Sequence, residues 1–483
     1  MTSQNVLSFF REIMLIPRES GNEQAIGAYL LDFASKHGFE SKTDEAGNIL
    51  ITKPATAGLE DAPTIILQSH TDMVCEKNSG VEFDFAKDPI VAVEEDGWLV
   101  AKDTTLGADC GIGVAASLAI LESKDFAHGK IECLFTVSEE TGMDGAFGLK
   151  PGFMTGSIFI NLDSEDEGEL FIGCSGGLDT SIEYSYHNGP QPENSTTYTV
   201  KVFGGQGGHS GDDIEKERAN AVQLLARFLN TIMLNSDKNK FAIIDIDGGG
   251  KRNAIAREAS ATVCFEAAKE EKIVEKFATF LADIKDEYAG SDKDLSATFE
   301  KCECKDECIG RQCSQNIIRG LIAAPHGVLA MSSDVKGLVE TSTNLASIKN
   351  NKETKTIFIA TSQRSAMRSA RWWAGERVEA AFQLASASKV WHESEYPGWK
   401  PKMTSQILEI SKAAYKKLFD KEPVVRAIHA GLECGLILET YPDLDMISFG
   451  PTLKGVHAPG EKLNLASLDK FCLHLQEVIA SCR

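Results

Sequence analysis

Apolar positions recur along the chain at two periods, and the change from one to the other marks out its elements. Val6, Phe9, Phe10, Ile13 and Met14 follow helical spacing and stop before Pro17. A second helix is expected from about Ser20, where Glu23 three residues on completes a capping-box pattern. Ile26, Tyr29, Leu30 and Phe33 form its buried stripe, and Gly38 ends it. Two strands follow, joined by the turn Glu45-Ala-Gly-Asn48. Four apolar runs then stand out, over residues 64–69, 131–137, 157–162 and 446–449. Each has the length and composition of a buried strand, and each runs on into polar residues: His70, Glu139-Glu140, Asp163 and, after a loop, His457. A hairpin over 94–97 leads to the glycine-rich run 104–114, and an Ala- and Leu-rich helix over about 111–122 has Asp109 at its head.

Between 198 and 388 the pattern changes. Amphipathic helices over 220–234, 271–288, 314–323 and 371–389 alternate with antiparallel-looking strands over 241–247, 259–267, 337–348 and 354–362. The last two strands flank the hairpin signal Lys349-Asn-Asn-Lys-Glu353. The order hints at a duplicated α+β unit. The expected organisation is therefore an α/β catalytic domain in two parts, 1–197 and 389–483, interrupted by an inserted α+β lid domain over 198–388. The catalytic domain should hold a mixed, mostly parallel central sheet flanked by helices.

Composition narrows the partners. A chain of 483 residues, 42% hydrophobic and 25% charged, can bury a real core in two or three domains. Against 49 basic residues stand 71 acidic ones, a net charge of −22, which disfavours nucleic acid and anionic membranes as partners. No signal peptide or membrane-length apolar run is visible, and most of the twelve cysteines are scattered singly, so a cytoplasmic location is expected. The cluster Cys302, Cys304, Cys308 and Cys313 lacks paired CxxC spacing and reads as oxidation-prone thiols.

The polar strand ends carry the candidate chemistry. In an open α/β sheet, ligands bind beyond the carboxyl ends of the strands. Two adjacent carboxylates there can divide the labour, one holding a metal and the other moving a proton; an acidic loop at a sheet edge is the alternative. Asp72, two residues after His70, can reach the ring nitrogen that a metal leaves free, unless the pair is incidental. Asp109 reads either as a helix N-cap or as a ligand. Nitrogen and carboxylate ligands without thiolate suit Zn²⁺, Mn²⁺ or Co²⁺, and five candidates exceed what one catalytic cation takes from protein. In the insert, Gly204-Gly-Gln-Gly-Gly-His209-Ser-Gly presents a histidine on backbone able to approach a ligand closely, or simply a surface turn. Asn253 and Arg364 lie in polar interruptions after apolar strands and could grip an anionic substrate end.

Taken together, these motifs resemble the aminoacyl-histidine (Xaa-His) dipeptidases, within the group of di-zinc dipeptidases, tripeptidase T, aminoacylases and carboxypeptidase G. The resemblance rests on Ser-His70-Thr-Asp72-Met-Val, Thr-Leu-Gly-Ala-Asp109-Cys-Gly-Ile-Gly, Glu139-Glu140-Thr-Gly-Met-Asp-Gly-Ala, Asn-Leu-Asp163-Ser-Glu, Gly-Gly-His209-Ser-Gly, His429-Ala-Gly-Leu-Glu433-Cys-Gly and His457-Ala-Pro. It implies two Zn²⁺ ions bridged by Asp109, one completed by His70 and Asp163, the other by Glu140 and His457. It further implies Glu139 as general base, Asp72 as the group orienting His70, and His209 as an oxyanion stabiliser. Arg364 and Asn253 would hold the substrate carboxylate, with His429 and Glu433 lining the site. A short peptide is the implied substrate, and a homodimer the expected assembly. The chain departs from the group in three places: Cys110 follows the bridging aspartate where Asn is usual, Asp212-Asp213-Ile214-Glu215 replaces Gly-x-Ile-His, and Ala256 replaces a Pro. A broader di- or tripeptidase, an N-acyl amino acid deacylase and a non-catalytic peptide-binding protein are the competing readings.

Overall fold

The computed structural model describes the backbone of residues 1–483 and every side chain except that of Lys238. Contacts divide the chain into two compact units, the first Met1–Cys174, Trp399–Ala427 and Leu432–Arg483, the second Ser175–Gly398 and Ile428–Gly431. The second unit therefore takes in residues 175–197 and 389–398, on either side of the insert expected at 198–388. Among the described residues, no helix is long and apolar enough to cross a membrane.

The first unit is built on an eight-stranded mixed sheet. Its four central strands, Ile131–Thr136, Ile65–His70, Ile158–Asn161 and Asp445–Ser448, run parallel in that order. These are the four apolar runs of the sequence. They read as continuous rather than alternating because both faces are covered, leaving all but Asp445 buried. Ile49–Lys53 and Glu40–Thr43 extend one side antiparallel, and Glu169–Cys174 joins antiparallel beyond Asp445–Ser448. The helix Ala108–Glu122 is buried almost all round and packs between Ser3–Ile13 and the strand Ile65–His70.

A separate four-stranded sheet, in the order Leu453–Lys454, Lys462–Asn464, Trp98–Val100, Val93–Glu95, has a positional role. Its pairs Lys462–Val100 and Asn464–Trp98 bring the limb that precedes Asp109 beside the limb that carries His457. Residues more than 340 positions apart in sequence are thereby made neighbours.

The second helix departs from expectation at its start. It runs Gln24–His37, and Glu23 at its cap position makes no side-chain capping bond. Ser20 is bonded to Asp72 and Glu23 to Ser138 instead, so the capping-box reading is corrected. Gly38 does end the helix, left-handed at φ 71°.

In the second unit, nine strands form one antiparallel sheet carrying the helices Ala221–Asn235, Glu270–Glu287, Arg311–Ala323 and Arg368–Leu384. Its core centres on Phe228, Phe265, Phe280 and Phe382 with Val200, Val263 and Ile359. The helix expected over 371–389 stops at Leu384, and Lys389–Tyr396 becomes a strand paired to Gly176–Ser185. Ala-Ser-Ala-Ser reads as helix by composition, but Ser386 turns left-handed and the sheet edge claims the residues after it.

Candidate active site

Three of the four central strands end within a few residues of an acid or histidine of the first unit's cluster. Ile65–His70 ends on His70; Ile131–Thr136 leads through left-handed Ser138 to Glu139 and Glu140; Ile158–Asn161 leads to Asp163. Asp109 arrives at the head of Ala108–Glu122, where its own backbone and that of Cys110 are non-helical and no side chain caps the helix. Asp109 is therefore free of the N-cap duty that was its alternative reading. His457 arrives on the loop between Leu453–Lys454 and Lys462–Asn464. The peptide bond Asp109–Cys110 is cis.

The two oxygens of Asp109 face different histidines. Oδ1 lies 3.2 Å from His70 Nε2, and Oδ2 lies 3.0 Å from His457 Nε2. Asp163 Oδ1 lies 3.3 Å from the same His70 nitrogen, and Glu140 Oε2 lies 3.0 Å from that of His457. Two half-sites thus share one carboxylate. They differ in access, since the His70 side chain is 1% exposed and that of His457 50%.

Asp72 holds the frame together. Its Oδ1 is 3.2 Å from His70 Nδ1 and accepts from Glu139 N at 3.1 Å; its Oδ2 accepts from Glu140 N at 3.1 Å and Ser20 Oγ at 2.7 Å. The strand ends at His70, so Asp72 reaches back from the segment beyond it rather than from a shared strand face. Glu23 does similar work one step further out, accepting from Ser138 N at 2.9 Å and Ser138 Oγ at 3.0 Å. Ser20 and Glu23 were missed as site residues because their spacing also fits a helix cap.

Electrostatics here are those of an acid-rich, buried cluster. Burial would lower the pKa of His70, but Asp163, Asp109 and Asp72 outweigh it and hold it well above the ordinary value. Hydrogen bonds that His457 gives to Asp109 and Glu140 push its pKa up to about 11. Burial raises Asp163 to about 7, with Asp109 adding to the effect, and pushes Glu139 well up, with His70 opposing and Asp163, Glu433 and Glu140 reinforcing. Glu165, unremarked in the sequence, is raised to about 8 by burial and by Asp109 and Asp163. So many acids around two imidazoles lack compensating positive charge.

Divalent cations fit that deficit. The donors are imidazole nitrogen and carboxylate oxygen, the set that suits zinc in a catalytic rather than a structural site. Separations of 3.0–3.3 Å between donors are what two ligands leave when each stands about 2.0–2.2 Å from one ion. Asp163 Oδ1 is buried without a hydrogen bond, as a ligand atom would be. Cys110 is a poor ligand: burial pushes its thiol well up, and its Sγ donates to Leu162 O at 3.4 Å.

Glu433 lies deeper in this unit, buried and accepting from Gln68 Nε2 at 2.6 Å and Thr136 Oγ1 at 2.8 Å. Burial raises it to about 7.

The other sequence-predicted residues belong to the second unit. Arg364, buried in the strand Thr356–Ser365, has Nη2 3.5 Å from His209 Nε2 and donates from Nη1 to Tyr396 Oη at 3.1 Å. His209 Nδ1 accepts from Asp212 N at 3.2 Å. His429 Nε2 meets Ser342 Oγ at 2.7 Å, and burial followed by the Arg364 charge lowers its pKa to about 3. Asn253 O accepts from Ser210 N at 2.8 Å, and Asn344 Nδ2 donates to the carbonyls flanking it, Arg252 O and Ala254 O, at 3.0 and 2.9 Å. This cluster is mixed in charge where the first is acidic: Arg364 is a fixed cation, His429 is held neutral by burial, and Asp212 Oδ2 lies 3.3 Å from His209 Nδ1. Tyr396 and Ser342 were not foreseen; nothing in their sequence surroundings marks them.

Comparison with known proteins places this geometry. Residues 66–481 match the family described as Peptidase family M20/M25/M40. The chain is 37% identical over 482 residues to the cytosol non-specific dipeptidase of Escherichia coli (strain K12), covering 99% of this chain and 98% of that one. It resembles the crystal structure of aminoacylhistidine dipeptidase from Vibrio alginolyticus with a TM-score of 0.90 at 38% identity, over 98% of this chain and 96% of that one. A tripeptidase from Staphylococcus aureus shares the fold, with a TM-score of 0.58 at 17% identity over 100% and 99% of the two chains.

Proposed function

Because the chain belongs to peptidase family M20/M25/M40, we propose that this metallopeptidase is a dipeptidase using two divalent cations, Zn²⁺ in the first place and Mn²⁺ or Co²⁺ as substitutes. Xaa-His dipeptides are its proposed substrates. The observation that carries the reading is Asp109, with one carboxylate oxygen turned to His70 and the other to His457. In this reading His70, Asp109 and Asp163 hold one ion, and Asp109, Glu140 and His457 hold the other. Bound there, such ions lower the pKa of water to about 7 and polarise a peptide carbonyl.

The protein's own groups do the rest. Glu139 takes a proton from water on its carboxylate oxygen and returns it to the leaving amine nitrogen, a task suited to a carboxyl whose pKa burial has raised. Asp72 fixes the ring of His70 through Nδ1, so that Nε2 faces Asp109 and Asp163. His209 gives a ring N–H to the carbonyl oxygen as charge develops on it. Arg364 and Asn253 bind the substrate carboxylate, and His429 and Glu433 are substrate-lining groups. The insert acts as a lid, the assembly is a homodimer and the location cytoplasmic.

A broader di- or tripeptidase is the second reading, favoured by Asp212–Glu215 replacing the run expected by resemblance. Initial rates on β-Ala-His, Gly-His, Leu-Gly, a tripeptide and N-acetyl amino acids separate the two. The proposal expects Xaa-His peptides to be fastest. Equal rates on Leu-Gly would favour the broader enzyme, exclusive hydrolysis of N-acetyl substrates a deacylase. No turnover of any of them with zinc bound would leave only peptide binding.

A further inference from the structure

The loop that presents Asp109 is gripped by two buried side chains of opposite charge, neither of which has a part in the chemistry above. Glu461 is 2% exposed. Its Oε2 accepts from Leu106 N at 2.7 Å and Gly107 N at 2.9 Å, and its Oε1 from Ala108 N at 2.8 Å and Asp109 N at 3.4 Å. Arg18, also 2% exposed, works on carbonyls instead. Its Nη1 donates to Thr71 O at 3.0 Å and Asp72 O at 2.7 Å, and its Nη2 donates to Gly107 O.

The two charges meet on one residue. Gly107 gives its N–H to Glu461 and its carbonyl to Arg18, with φ at 68°, and a Cβ there would run into Arg18 and Met73. The charges also tie together different limbs of the site. Glu461 stands four residues after His457, so its carboxylate joins that limb to residues 106–109. Arg18 joins the segment just beyond His70 to the same turn. All three limbs that carry His70, Asp109 and His457 are thereby fixed by two side chains.

Taking a charge out of water is costly, so neutral packing would fill this space more cheaply. The charges offer matched valence. A carboxylate has about four acceptor positions and no donor, which suits four converging N–H groups; a guanidinium has a rigid fork of donors and no acceptor, which suits three carbonyls. Gln would turn an NH₂ toward amide hydrogens, and Lys would replace the fork with a point charge.

We propose that Arg18 and Glu461 are positioning residues that set Asp109 between His70 and His457, making the cation affinity of the site depend on two charges that do not touch the cations. The proposal rests on the two-cation reading above. Its test is the zinc dissociation constant of metal-free protein, measured by competition with a chromophoric chelator, with circular dichroism as the check on folding. Glu461→Gln and Arg18→Lys should each bind zinc about 10–100-fold more weakly while keeping a native spectrum. Glu461→Asp, which keeps the charge and the acceptors, should recover most of the loss. A residue that only supports the fold would shift the melting temperature and leave the zinc constant of the folded variant alone. If Glu461→Gln does not fold, Arg18→Lys carries the comparison, expected to bind zinc about 10–100-fold more weakly than wild type. Wild-type zinc affinity in folded Glu461→Gln or folded Arg18→Lys would overturn the proposal. Wild-type protein that binds no zinc would instead remove the two-cation reading, and the proposal with it.

Discussion

The two units assemble their candidate sites from different mixtures of charge on different kinds of sheet. In the first, parallel strands end side by side, so His70, Glu139, Glu140 and Asp163 converge although they are spread along the sequence. In the second, strands alternate in direction, and the cluster comes from within a strand at Arg364 and Ser342 and from loops at His209 and His429. Acids crowd the one; in the other the guanidinium of Arg364 stands with His429, held neutral by burial, and with Asp212 beside His209. In the function proposed above, the first holds the metal and the second binds the substrate. Binding of metal and use of substrate should therefore come apart under mutation.

The sharpest break lies in the first unit. Glu139→Gln should lower kcat by about 10²–10⁴-fold, the worth of general-base catalysis, while metal analysis of the dialysed protein finds its zinc unchanged. Turnover above about a hundredth of wild type would take the proton-transfer role away from Glu139.

His209→Ala should lower kcat by about 10²–10³-fold, as loss of one oxyanion donor does, again with zinc content intact. Zinc lost with His209 would blur the division between the units. Mixing sharpens it further: if His209 serves a partner's site, heterodimers of His209→Ala and Glu139→Gln subunits regain activity. If it serves its own chain, verified heterodimers stay inactive.

The smallest effect compares buried histidines. Burial lowers His474 in the first unit to about 4, while its Nε2 faces Ser411 O at 2.9 Å. The unfolded chain takes up this proton near pH 6.5 and the folded chain only near 4. The contribution of His474 is therefore complete above about pH 6.5 and is lost as pH falls toward 4. At roughly 1.4 kcal/mol for each pH unit between those two values, the swing is a few kcal/mol. Thermal melts from pH 7 to 5 should fall less steeply for His474→Gln than for wild type. Parallel curves would show that this histidine does not titrate between the two states.

Much of the first site was legible in the sequence, because a buried strand that breaks into His, Glu or Asp leaves a visible seam. Its framework was less so. Ser20 and Glu23 carry a helix-cap spacing yet serve Asp72 and Ser138, and no local pattern separates the two uses. Arg18 follows a proline at the end of a helix and looks like any surface cation until its three carbonyl partners assemble around it. Asp109 reads in both roles because sequence cannot tell that its backbone leaves the helix and its two oxygens turn to His70 and His457. Toward the second unit, Glu169–Cys174 and Gly176–Ser185 escaped notice; the Gly-Cys-Ser-Gly-Gly run where they meet reads as loop, whereas only Ser175 separates the two strands and pairing with Thr356–Ser365 and Lys389–Tyr396 makes Gly176–Gly177 sheet. Tyr396 could not be linked to Arg364 before that pairing was known.

The central claim is that Asp109 is shared between two cations held by the first unit. Zinc stoichiometry tests it most directly: metal-free wild type and Asp109→Ala are titrated with Zn²⁺, and tightly bound ions per chain are counted by calorimetry and by elemental analysis after dialysis. The account predicts two ions per wild-type chain and loss of both tight sites in Asp109→Ala. A wild-type chain that takes up one ion or none, or an Asp109→Ala chain that keeps two, would contradict it.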